Sequence, residues 1–369
     1  MPAAFAFAVS FVMAPLLVAA ALWGSWWLIG PAVYGWVVVS LLDRALGKAE
    51  DDAPEEAPEA ALFWHRFVTW AWVPVQLALI AFCLFAATRW LSTAEAILLM
   101  SGLGIATGGI GITYAHELIH SRRRFERALG EILLVTVGYG HFATEHLANH
   151  HVHVATPKDP VTARYGEGFW RFLLRAVRGT ARSAWEIDRA RRLRRGRRFL
   201  HWSNPWARHG AGTALLFLVA WGIGGWAALG LWAIQASVAI LQLEAVNYVE
   251  HYGLTRKHLG GGRFEPAGPH HSWNAAQRMT NFLLINLQRH SDHHVKPDRR
   301  FPLLRSWPEE AAPQLPYGYP LMVLLAMTPP LWFRVMNRRV KAWRRRHYPE
   351  ISDWAPYRSG AHPGRSAAL

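Results

Sequence analysis

Stretches almost free of charge alternate along this chain with stretches dense in arginine. A helix needs about 20 consecutive apolar residues to cross the hydrocarbon core of a bilayer. Six segments approach that length: residues 5–22, 27–42, 67–88, 94–115, 212–229 and 231–248. They predict an all-α integral membrane protein of about six transmembrane helices, organised as a single domain over 1–369. A seventh apolar stretch, 319–336, is interrupted by Pro329 and Pro330 and reads as interfacial or re-entrant. Residues 129–142 are too short to cross. The first segment has no basic run ahead of it, so it is expected to be an uncleaved span.

The Lys and Arg content of the connections sets the expected orientation. Residues 23–26 carry none, whereas the connection after the second segment carries Arg44, Lys48 and Arg66, and residues 122–208 and 334–346 are arginine-rich. That asymmetry puts both termini in the cytoplasm, with 344–369 as a basic cytoplasmic tail and the acidic, proline-bearing stretch 50–59 as a solvated loop. The net charge of +15 resides largely in these runs. A nucleic-acid partner would tolerate them, but six spans argue against one. Cys83 is the single cysteine, so the chain has neither an internal disulfide nor a CxxC pair to hold an electron-transfer iron.

Histidine changes the picture from a membrane scaffold to a site. Nine of the nineteen fall in clusters at predicted helix ends on the cytoplasmic side: His116 and His120; His146, His150 and His151; His251; His290, His293 and His294. Residues i and i+4 share a helix face, so each cluster is expected to aim its rings at one point, while adjacent histidines diverge by about 100°, so that a pair can serve two metals or straddle one. One tetrahedral zinc takes three or four ligands. Nine imply two metal ions. Imidazole without thiolate suits iron, copper, zinc or nickel, which leaves the element open. Ligating imidazoles commonly donate their second N–H to a carboxylate, and Glu117, Glu145, Asp159, Glu250 and Asp292 are the candidates for that role. His141, His153, His270 and His271 lie near the clusters but break their spacing. His65, His201, His209, His258, His347 and His362 read as surface residues.

The run His116-Glu117-Leu118-Ile119-His120 also matches HExxH, in which two histidines hold zinc and the glutamate activates water. An intramembrane zinc metalloprotease is thus a competing reading, although it leaves at least five clustered histidines unexplained. A metal-storage or metal-transport protein is another.

Taken together, His116 to His120, Glu145 to His151, Asn247-Tyr248-Val249-Glu250-His251-Tyr252-Gly253 and Leu287 to His294 resemble the membrane-bound alkane 1-monooxygenases. These belong with the histidine-box, fatty acid desaturase-like membrane diiron proteins. Three of the boxes are shared with desaturases and xylene monooxygenase; the NYxEHYG box discriminates. The resemblance runs from about Trp27 to Trp343. It implies a non-haem diiron centre on all nine clustered histidines, O2 as co-substrate, and terminal hydroxylation of medium- to long-chain n-alkanes to 1-alkanols. It further implies electrons from rubredoxin and its reductase, and the inner membrane of a bacterium. A desaturase or a fatty acid or xylene hydroxylase is the nearest alternative. Ile119, Ser121 and Leu147 to Asn149 depart from the usual boxes without touching a ligand. Substrate is expected to enter end-on from the lipid through an apolar channel, where Gly35 leaves room and Trp36 narrows the path. The arginine runs 189–198 and 338–346 are candidate docking surfaces for an acidic electron donor, their other reading being topology and attraction to anionic lipid.

Overall fold

The computed structural model describes residues 2–49, 54–354 and Tyr357. Among these the chain is helical, with three isolated β-bridges and no strand. Helices α1 (Ala4–Trp23), α2 (Ser25–Leu46), α3 (Phe63–Arg89) and α4 (Thr93–Ile119) are long and apolar enough to span a bilayer. Shorter helices follow: α5 (Arg124–Thr136), α6 (residues 142–153) and α7 (Phe169–Arg194). The long α8 (Pro205–His251) leads to α9 (Arg278–Leu283), α10 (His290–Val295), α11 (Tyr319–Ala326) and α12 (Pro329–His347).

The two expected spans 212–229 and 231–248 lie within α8, whose 47 residues would extend about 70 Å if straight. They do not run straight. Gly224 (φ −154°, ψ 25°) and Gly225 (φ 59°, ψ −143°) leave helical geometry. Phe217 and Trp232 then meet with ring centroids 4.9 Å apart, where an unbroken helix would separate them by about 22 Å. The helix is therefore a hairpin of two arms, 205–223 and 226–251. The reversal falls at Gly224–Gly225 and not near Gly230, because hydropathy is flat across the region and does not say which glycine turns. Packing does: a Cβ on Gly224 would lie 2.5 Å from Thr88 Cγ2, and Gly225 takes the positive φ that glycine tolerates best.

Three reversals cluster at one end of the bundle. Gly24 (φ +57°) joins α1 to α2. Ser92 and Glu95 form a capping box at the start of α4, and Glu95 also accepts the Ser25 N–H at 3.1 Å. Trp90 Nε1 donates to Ala21 O at 2.7 Å, and Arg89 reaches Ile223 O at 3.2 Å. Trp23, Trp26, Trp90 and Trp226 are exposed at this end, as expected for aromatic rings at a membrane–water interface.

The opposite end carries the chemistry. The 129–142 stretch splits into α5, which packs on α4, and the start of α6. The Thr136 carbonyl at the end of α5 accepts from Trp232 Nε1 and Gln235 Nε2, both at 3.0 Å. Residues 107–112 of α4 form a π-helical turn. Two carbonyls just before it, Gly104 O and Ile105 O, are taken up by Gln242 Nε2 at 3.1 and 3.3 Å. That widened turn sets the azimuth at which α4 delivers His116.

Helices α11 and α12 meet at a 118° bend, too sharp for one straight span. The expected tail from 344 begins too early: residues through His347 belong to α12. Trp332, Met336, Val340 and Trp343 repeat at helical spacing on a buried face, which the flanking arginines mask in the sequence. Trp343 Nε1 donates to His270 O at 2.9 Å and the Arg344 guanidinium to Gly253 O at 2.7 Å. Residues 358–369, with His362, lie outside the described residues, as do 50–53 of the acidic loop. Glu59 of that loop is paired with Arg66 (2.8 Å) and Arg123 (3.1 Å).

Candidate metal centre

Four helix ends converge on one buried volume: α4 brings His116 and His120, α6 brings His146, His150 and His151, α8 brings His251, and α10 brings His290, His293 and His294. Their donor atoms sort into two abutting groups. His116, His120, His146, His151 and His293 form one; His150, His251, His290 and His294 form the other, and within each the donors lie within 4.8 Å of one another.

The sorting cuts across the sequence clusters: the multi-histidine runs at 146–151 and 290–294 do not each aim at a single point, and their adjacent pairs are divided between the two groups. His150 and His151 go to different groups, as do His293 and His294, because adjacent residues on a helix diverge by about 100°. His146 joins His151 and not His150 because residues 146–150 form a π-helical turn, whose longer period aligns i with i+5.

The nitrogens of the larger group are closely spaced. Nε2 of His146 lies 2.9 Å from that of His120, Nε2 of His151 lies 3.2 Å from His120 and 3.0 Å from His146, and His293 Nε2 lies 3.1 Å from His151. A hydrogen bond pairs a donor with an acceptor, so a triangle of three Nε2 atoms always leaves one mismatched pair. A shared cation removes the conflict, since every Nε2 then presents a lone pair. With metal–nitrogen bonds of about 2.1 Å, such separations subtend roughly 90–100° at a common centre, whereas a tetrahedron would need about 3.4 Å. In the smaller group, His290 Nε2 stands 3.1 Å from His251 Nε2 and 3.0 Å from His294 Nε2. The two remaining atoms, His116 Nε2 and His150 Nε2, are buried without a hydrogen-bond partner. Nine imidazoles with unsatisfied or mutually conflicting Nε2 atoms, in two groups, fit a pair of metal ions.

The carboxylate candidates divide. Asp159 Oδ2 accepts from His150 Nδ1 at 2.9 Å and is itself held by Thr162 Oγ1 at 2.6 Å. Glu250 Oε1 lies 3.3 Å from His290 Nδ1 and accepts from Tyr319 Oη at 3.0 Å. The other three sit elsewhere. Both oxygens of Asp292 accept from Arg299 Nη1 (2.8 and 2.6 Å), and they also take the Arg305 N–H and Trp307 Nε1, so Asp292 pins the loop after α10. Glu145 accepts from Asn149 Nδ2 at 2.9 Å. Glu117 lies 3.7 Å from Arg300 and is absent from the donor groups. The glutamate of the HExxH run thus faces away from the nitrogens it would have to serve in a zinc protease.

Tyr319 and Thr162 were not legible as site residues, since neither stands in a histidine-spaced motif. Glu244 was missed for the same reason; it is buried and accepts from Tyr139 Oη at 2.8 Å.

A third cluster, Glu265, His270 and His271, is closed by hydrogen bonds. His271 Nδ1 accepts the Gly268 N–H at 2.8 Å, which puts the ring proton on Nε2, facing Tyr348 Oη (2.8 Å) and Glu265 (3.2 Å). Burial raises the Glu265 carboxyl, but the hydrogen bonds from His271, the Lys257 N–H and Tyr348 outweigh it and hold the group at about 2. Two histidines expected at the surface are buried instead: His65, whose Nε2 meets Pro2 O at 2.9 Å, and His209, which pairs with Glu131 at 3.2 Å.

A mostly apolar cavity leads to the histidines. Gly35 and Trp36 line it with Met13 and Ile105 at the α2 side, and His116, His146 and His290 line it at the other. A Cβ at Gly35 would stand 3.3 Å from Met13 Cε and 3.6 Å from Ile105 Cγ2, so the missing side chain keeps this width open.

The fatty acid desaturase family model matches residues 88–326. The chain is 39% identical over 336 residues to alkane 1-monooxygenase 2 of Pseudomonas aeruginosa, covering 86% of this chain and 88% of that one. It is 39% identical to alkane 1-monooxygenase of Pseudomonas putida (87% and 80% covered) and 39% identical to that of Ectopseudomonas oleovorans (82% and 76% covered). On this likeness and the four converging histidine segments, the chain belongs to the alkane 1-monooxygenase family within the fatty acid desaturase-like membrane proteins.

Proposed function

We propose that this protein hydroxylates the terminal carbon of medium- to long-chain n-alkanes, using O2 and two irons held by His116, His120, His146, His151 and His293 on one side and His150, His251, His290 and His294 on the other. The observation that carries this reading is the apolar cavity that ends on imidazoles of both groups. An unactivated C–H bond offers no acid, base or leaving group, and redox iron supplies the O2 activation that side chains lack. The balance is one alkane, one O2, two electrons and two protons giving one 1-alkanol and one water.

The residues present do the positioning. Asp159 accepts from His150 Nδ1, which fixes the tautomer that turns that ring's Nε2 lone pair inward, and Glu250 places a carboxylate 3.3 Å from His290 Nδ1 without a hydrogen bond to it. Tyr319 orients Glu250. The walls from Gly35 to His116 admit a chain end-on and exclude water, which favours the terminal carbon over weaker internal C–H bonds.

Electrons are assigned to rubredoxin, reduced by its reductase. The arginine-rich outer face of α12 suits an acidic donor, since its inner face touches His270 O and Gly253 O, close to His251. The asymmetry of Lys and Arg between the two ends of the bundle supports a cytoplasmic histidine face and cytoplasmic termini in a bacterial inner membrane.

The test is turnover of octane, dodecane and hexadecane by the purified protein in nanodiscs with rubredoxin, reductase and labelled dioxygen. A 1-alkanol carrying one labelled oxygen is expected. An alkene, or an alcohol labelled from water, would overturn the reading.

A further inference from the structure

The sequence offers two arginine runs, 189–198 and 338–346, and the second lies on α12. The other surrounds a concave site between the end of α7 and the start of α8, lined by Arg191, Arg192, Arg195, Arg197, Ser203 and Asn204. Its one carboxylate, Asp188, is buried and committed to Thr144 Oγ1 (2.9 Å) and Arg191 (3.5 Å). Two guanidiniums are held in place by neutral oxygens, Arg197 by Ser203 Oγ at 2.6 Å and Arg192 by Arg197 O at 3.3 Å. Three more positive than negative groups face one concavity.

The position of the concavity says what chemistry fits it. Pro205 opens the first arm of α8, so the site sits where a membrane-spanning arm begins, at headgroup depth. Beside it, Leu200 and Trp202 are 84% and 75% exposed, and Phe199 is exposed as well. Large apolar side chains interleaved with arginines are costly in water and suited to a bilayer interface. The N-terminus of α8 adds its own partial positive charge, and Asn204 makes no side-chain cap there.

We infer that this concavity binds the phosphate of an anionic glycerophospholipid, with its acyl chains laid against Leu200 and Trp202. A soluble phosphate compound would use the same guanidiniums without the apolar rim, and the rim favours the lipid. The site shares no lining residue with the apolar cavity and anchors the α7–α8 connection to the membrane.

The experiment is native mass spectrometry of the full-length protein in neutral detergent, titrated with phosphatidylglycerol or phosphatidylcholine, with inorganic phosphate in large excess as competitor. Phosphatidylglycerol is expected to be retained preferentially. The R192Q/R195Q/R197Q variant should weaken it by at least about tenfold. R338Q/K341Q/R345Q, which removes the same charge from α12, should change it by less than about twofold. The L200A/W202A variant should weaken the lipid but leave phosphate competition unchanged. Should the triple variant fail to fold, R195Q alone serves, since the exposed Arg195 caps α7 through its backbone N–H, which the substitution keeps; an expected loss of about threefold remains readable. Equal retention of the two lipids, equal loss in both triple variants, no loss in R195Q, or full displacement by phosphate with no effect of L200A/W202A would each overturn the assignment.

Discussion

Behind the four-membered histidine group stand two carboxylates, Asp159 on His150 and Glu250 near His290. Behind the five-membered group no carboxylate reaches an imidazole among the described residues; buried Nδ1 atoms without a hydrogen-bond partner occur in both groups, at His151 in the larger and at His251, His290 and His294 in the smaller. A carboxylate behind an imidazole fixes its tautomer and raises its basicity. On the proposed reading, the smaller group has one strongly oriented ligand in His150, tied to Asp159, and a second carboxylate charge beside His290, whereas the larger group relies on number. For the two ions proposed, the comparison teaches that neighbouring sites can be built by different means, and that damage to each should be felt differently.

The largest contrast is expected between single ligand losses. His251→Ala leaves three imidazoles in its group and should take metal content from two ions per chain to one, abolishing turnover. His120→Ala leaves four in its group and should retain more metal under the same dialysis. Equal losses by elemental analysis would remove the distinction.

Next come the carboxylates. Asp159→Asn and Glu250→Gln should each lower affinity for one ion about 10- to 100-fold, read by chelator competition. Glu145→Gln, which touches Asn149 and no ligand, should leave both affinities unchanged. A smaller effect is expected from Tyr319→Phe. It removes one hydrogen bond to Glu250, a loss of about 1 kcal/mol, and should weaken the four-histidine ion a few-fold without touching the other.

Smallest of all on the metals is Gly35→Leu. It should change neither affinity, yet fill the cavity between Met13 and Ile105 and shift product from hexadecane toward octane. A variant that loses iron, or keeps the wild-type chain-length profile, would separate Gly35 from the channel.

Why this contrast escaped the sequence is a matter of local geometry. The spans were legible from hydropathy, and the nine histidines from their spacing, because both depend on periods that an ordinary helix imposes. The partition depends on that helix for dividing His150 from His151 and His293 from His294, and on departures from it for the rest. His146 pairs with His151 through a π turn, and the two arms of α8 reverse at Gly224–Gly225, where Thr88 decides the place. Carboxylates beside histidines in sequence, such as Glu117, Glu145 and Asp292, drew attention that belonged in part to Thr162 and Tyr319. Those two reach the centre only because the chain returns to it from elsewhere.

The most direct test of two ions on two unequal imidazole groups is metal analysis with iron Mössbauer spectroscopy on the full-length protein in nanodiscs, in the same preparation used for turnover. Two irons per chain giving two distinct quadrupole doublets, only one of them altered in Asp159→Asn, is the predicted result. A single zinc ion, or two irons in identical environments that Asp159→Asn changes alike, would contradict it.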